Sequence, residues 1–138
     1  MAFEDQLALA LEAEIDDERR YFTLEDANRA LVYLRPVVAD LQAEYQRIVD
    51  LRRRIERGGS HTADAEREYD AAMDRLSDLV DEVHAVGVEL KDFERGMLDF
   101  PAWQDGREVL LCWQAGEPTV SHWHEIDAGL ADRKPVPA

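Results

Sequence analysis

Cysteine is nearly absent from this chain: Cys112 is the single one. An internal disulfide is impossible, thiolate zinc sites are ruled out for want of a second cysteine, and a lone thiol suits the reducing cytosol. Lysine is almost as scarce. Of 16 basic residues only Lys91 and Lys134 are lysines, which with plentiful alanine reads as the compositional bias of a GC-rich bacterial genome. Positive charge is short overall, with 16 basic against 31 acidic residues and a net charge of −15. Phosphate backbones and anionic bilayers would be repelled, so nucleic-acid and membrane partners are disfavoured. The acidity serves solubility, with a basic partner protein or bound cations as further readings. No apolar run approaches the roughly 20 residues that span a bilayer, and the opening MAFEDQ lacks the basic start of a secretion signal. The expectation is a soluble, cytoplasmic protein. Glycine-rich phosphate loops, dinucleotide fingerprints and Gly-x-Ser-x-Gly turns are missing too.

What is present is helical periodicity followed by alternation. A chain of 138 residues suits one domain with one core. Residues 1–20 carry Phe3, Leu7, Leu11 and Ile15 among many acids, which predicts an acidic arm, helical or mobile. Residues 21–138 form the single domain. Its first helix is predicted over 23–57, with Thr23 as cap, Glu25 and Asp26 in the first turn and Phe22 as a staple. The stripe Leu31, Leu34, Val38, Leu41, Tyr45, Ile48, Arg52, Ile55 alternates steps of three and four, a heptad seam with one polar interruption. Pro36 should bend this helix. Gly58-Gly59 ends it, and a second helix is predicted over 62–91 on the stripe Tyr69, Ala72, Leu76, Leu79, Val83, Val86, Leu90. Within that span Gly87 reads as a helix-interior glycine, costing about 1 kcal/mol against alanine, which points to close approach of another backbone.

Beyond residue 92 the period changes. LDFPAW, REVLLCW and TVSHWHEI read as three strands over 97–127, with Asp105-Gly106 as a tight hairpin turn and Gly116-Glu117-Pro118 as a looser one. Residues 128–138 read as an irregular tail. The fold class is α+β: a long antiparallel, coiled-coil-like helical hairpin followed by a small antiparallel three-stranded sheet. Three strands are barely stable alone, so the sheet should lie on the helices or on a second subunit. Val37, Val49, Met73 and Val80 flank the seams, and left uncovered they would make a homodimer.

The segments YFTLEDANRALVYLRPVV and DFPAWQDGREVLLCWQAGEPTVSHWHEIDAGLADRKPV together resemble an uncharacterised bacterial family, domain of unknown function 2203, over about residues 21–136. The ordered run Asp-Phe-Pro, Leu-Cys-Trp, Gly-Glu-Pro, Trp-His-Glu carries the resemblance. It places His124 in the signature and makes His122 a local variation at a position that is usually aromatic. The family implies a small soluble protein of unassigned function and names no catalytic residue.

The stretch from Leu110 to Arg133 concentrates ionisable groups. His124 opens HEID, but the residue four positions on is Ala128, so the zinc-protease helix motif fails. What remains is a set of metal-ligand candidates: His124, Glu117, Asp99, Glu125, Asp127 and His122, whose imidazole and carboxylate donors suit a divalent transition metal. His122 and His124 share one strand face, and Glu125 and Asp127 the other. The register decides the rest. One pairing sets both histidines beside Val109 and Leu111, and a one-residue slip sets them beside Leu110 and Cys112. The competing, preferred reading is a structural network. Trp103, Trp113 and Trp123 then form cross-strand pairs, and His124 bonds a carboxylate such as Glu89 or Asp92, with Asp92 and Asp99 the acids best placed to meet it. Glu117 and Asp127 act as turn residues paired with Arg133 or Arg107, and Cys112 is a small hydrophobe. The function expected first is a non-enzymatic binding or assembly module that dimerises through its hairpin, with a possible protein partner. The alternative is a metal-binding protein or metal-dependent hydrolase.

Overall fold

The computed structural model describes residues 19–60 and 62–137. The acidic arm expected over residues 1–20 lies, but for Arg19 and Arg20, outside the described residues. Helix α1 spans Leu24–Arg57. Its start is set by a reciprocal cap: the Thr23 hydroxyl accepts from the Asp26 amide at 3.0 Å, and the Asp26 carboxylate accepts from the Thr23 amide at 3.4 Å. Pro36 lies inside the helix, where its side faces solvent. Helix α2 spans Thr62–Ala85 and returns antiparallel. Leu31, Leu34, Val38, Leu41, Ile48 and Leu51 of α1 meet Ala65, Ala72, Leu76, Leu79, Val80 and Val83 of α2 in one core. Two of the flanks offered for dimerisation, Val37 and Val80, are covered within the chain at 7% and 1% exposure, while Val49 and Met73 are half-buried.

The second helix does not reach residue 91. The amides of Val86 and Gly87 turn back to the carbonyls of Val83 and His84, and Gly87 takes φ +91°, where a side chain is strained. A Cβ there would also sit 2.9 Å from the side-chain Cβ of Arg20, so what approaches this glycine is a side chain rather than the backbone expected, and it does so outside a helix. Val86 and Leu90 fit the helical stripe but, together with Val88, also fit a period of two, and the strand wins: β1 is Glu89–Asp92.

Four more strands follow: β2 Met97–Gln104, β3 Arg107–Gln114, β4 His122–Glu125 and β5 Lys134–Pro135. They form a five-stranded antiparallel sheet in the order β1-β2-β3-β4-β5. The expected three strands are its centre. The two added ones are short edges, one hidden in the misjudged helix and one in the tail read as irregular, which also holds a 3₁₀ turn at Leu130–Asp132. Asp105 and Gly106, at φ +53° and +78°, close the β2–β3 hairpin, as a two-residue turn between right-twisted strands requires.

Alternation divides the sheet into two faces. Leu98, Phe100 and Ala102 of β2, Val109, Leu111 and Trp113 of β3, and Trp123 of β4 join the helical core. Phe22 meets Phe100 edge-on with centroids 5.4 Å apart, and Asn28 of α1 brackets Val120, taking its amide at 2.8 Å and donating to its carbonyl at 3.2 Å. The opposite face carries Met97, Asp99, Leu110, Cys112 and His124, all buried as well. The chain beyond β4 folds back over it. Ile126, Ala128 and Gly129 line a cavity with Asp99 and His124, and Arg133 reaches Cys112. No described helix is long and apolar enough to cross a membrane.

Candidate metal centre

The β2–β3 turn pairs Gln104 with Arg107, and counting back along both strands sets Asp99 opposite Cys112. Strand β4 then sets Leu110 opposite His124 and Cys112 opposite His122. Of the two registers open in the sequence, the structure takes the slipped one. His124, Asp99 and Cys112 therefore lie on one face of three adjacent strands, and a carboxylate oxygen, an imidazole nitrogen and the thiol sulfur fall within 4.8 Å of one another.

His124 is held at both ends. Its Nδ1 lies 2.8 Å from the Glu125 carbonyl, and because a carbonyl only accepts, Nδ1 carries a proton. Its Nε2 lies 3.0 Å from Oδ1 of Asp99. Both residues are nearly inaccessible, at 5% and 2% exposure. The Asp99 bond raises the His124 pKa above its ordinary value, against the opposing effect of burial. Burial pushes the Cys112 thiol up, countered in part by Arg133, whose Nη1 donates to Sγ at 3.7 Å.

Beside this trio lies a second network. Glu117 accepts Arg133 through both carboxylate oxygens and also takes the Gln114 amide at 2.7 Å. The Arg133 bonds hold its carboxyl below the usual range. The Nδ1 of His122 is 3.8 Å from Glu117 and 3.1 Å from the Ser121 hydroxyl. The remaining candidates scatter. Glu125 points to the other face and pairs with Arg107, and Asp127 is exposed. Asp92 spends its carboxylate on the Arg95 amide at 2.8 Å, leaving Asp99 as the acid that meets the histidine. Glu89 ion-pairs with Lys91.

The trio's donors fit a transition metal better than a hard cation. Around a tetrahedral ion with ligands at about 2.0–2.3 Å, donor atoms stand roughly 3.3–3.8 Å apart, against 3.0 Å for the Asp99–His124 pair and at most 4.8 Å within the trio. An Nδ1–H fixed on a carbonyl is the usual way a ligand histidine presents Nε2 to a metal. A carboxylate, a thiolate and a neutral imidazole sum to −2, which a divalent ion cancels in a buried site.

Cys112 is the member that lone-cysteine reasoning passed over. The signal for it was the Asp105-Gly106 turn, which fixes Asp99 against Cys112 by arithmetic. Comparison with curated proteins and with solved structures finds no match. Residues 20–136 match the model of the uncharacterized conserved protein family DUF2203, and the chain belongs to that family.

Proposed function

We propose that this protein binds one divalent transition metal, zinc being the ion best suited to the donors, through Asp99, Cys112 and His124. The observation that carries the reading is the convergence of three different buried donor atoms within 4.8 Å, with the histidine already oriented through its far nitrogen. Metal binding deprotonates the thiol, and Arg133 at 3.7 Å favours the thiolate so formed. A single cysteine with no disulfide partner suits a reducing compartment, which supports a cytoplasmic location. Protein purified without chelator is expected to carry close to one metal ion per chain by elemental analysis. Chelated protein should regain thermal stability on addition of zinc, by mass action. A metal-free preparation whose melting temperature ignores zinc, cobalt and nickel would sink the reading.

A second reading, self-association through the hairpin, draws on Val32 and Tyr33, adjacent on α1 and 77% and 52% exposed. Light scattering at micromolar concentration tests it: a dimer supports the reading, and a strict monomer removes it.

A further inference from the structure

Among the described residues the chain offers the proposed metal three ligands, and a cavity of about 210 Å³ adjoins two of them, Asp99 and His124. Three protein ligands beside a cavity are the arrangement that leaves a coordination position for an exogenous molecule. Lys91 also lines the cavity, and Met97, Leu110 and Ile126 supply apolar wall. The backbone puts the lysine there. Strand β1 pairs Leu90 with Leu98 and Asp92 with Met97 across an irregularity, so Lys91 is the extra residue, without a ladder partner. Its ammonium lies 2.8 Å from Glu89, and an ammonium has three N–H donors, so two remain for another acceptor.

Resting on the metal reading above, we propose that this cavity takes a small monocarboxylic acid with a short aliphatic tail. The carboxylate bridges the metal and Lys91, and the tail packs on Met97, Leu110 and Ile126. The size admits on the order of five to eight heavy atoms. Asp99 and Glu89, paired across β1 and β2 on this same face, limit the anionic charge the site accepts, which favours a monoanion over phosphate. The apolar wall favours a hydrocarbon tail over a second polar group.

Full-length protein loaded with cobalt(II) tests this without any assumed activity. A thiolate-to-cobalt band in the near ultraviolet reports Cys112 as a ligand, and the visible bands report the open position. Titration with butyrate should shift the visible bands to saturation, with butyramide and inorganic phosphate at least about tenfold weaker. Lys91→Met should weaken butyrate about tenfold while leaving the thiolate band and cobalt affinity in place. Lys91→Arg should retain most of the binding. Cobalt-loaded protein whose bands ignore butyrate, or that binds butyramide equally well, overturns the carboxylate site and leaves the metal reading standing. An unchanged butyrate affinity in Lys91→Met does the same. Protein that takes up no cobalt, or shows no thiolate band, overturns the metal reading and this site with it.

Discussion

Strands β2 and β3 bury both of their faces, and they do so by different physics. On the helix side, Leu98, Phe100, Val109 and Leu111 leave water for a close-packed apolar core, at about 25 cal/mol per Å². On the other side, one residue along, Asp99 and His124 leave water as a hydrogen-bonded pair with Cys112 beside them. The first face is stabilised by area, is indifferent to pH and tolerates swaps of equal volume. The second depends on each partner being present, because a buried polar group costs little only while it is bonded. Burial alone therefore does not distinguish the two faces; the chemistry of their side chains does.

Phe100→Ala should give the largest loss, about 3–5 kcal/mol in urea unfolding, the same with zinc or with chelator. A loss that depended on metal would merge the two faces. Asp99→Ala should cost about 3 kcal/mol in chelator, since it strands the buried His124, and should also abolish the zinc-dependent rise in melting temperature. Cys112→Ala, deleting one sulfur from a closed site, should cost only about 1 kcal/mol in chelator yet weaken zinc by at least about tenfold. An unchanged zinc affinity in that variant would remove the thiol from the ligand set.

Smaller effects come from pH, measured in chelator. His124 has a raised folded pKa, so its contribution is fully present below the unfolded value of 6.5 and fades as pH rises through the folded value. Glu117 has a lowered folded pKa. Its contribution is present above the unfolded value of 4.5 and is lost as pH falls through the folded one. His124→Gln should therefore match wild type more closely at alkaline pH, and Glu117→Gln at acid pH. Parallel profiles for the two variants would contradict the pairings. Leu98→Met, the control on the apolar face, should cost under about 1.5 kcal/mol at every pH.

The helical hairpin was legible because its signals are local: a Thr23 cap, a stripe in steps of three and four, and Gly58-Gly59 as a break. The edges of the sheet were not. Val86 and Leu90 fit a helical stripe and, with Val88, a period of two as well, and Lys134-Pro135 becomes a strand only by pairing with His122 and Trp123. For the proposed site, residue types singled out Asp99 and His124, two of the three donors that the fold brings together. The assembly needed the register, and Cys112 was judged by its solitude in the sequence rather than by its neighbours across the strands.

The sequence by itself determined the two helices, the three central strands, the α+β order and the β2–β3 pairing, because caps, stripes and a two-residue turn act over a few residues. Which face the histidines occupy, and what covers that face, was decided by tertiary structure. The loop between β3 and β4 is loose enough to permit either of two registers, and a one-residue slip moves every side chain of β4 to the opposite side. Only packing of Trp123 into the helical core, with Arg133 brought back onto Glu117 and Cys112, selects the register that joins Asp99, Cys112 and His124.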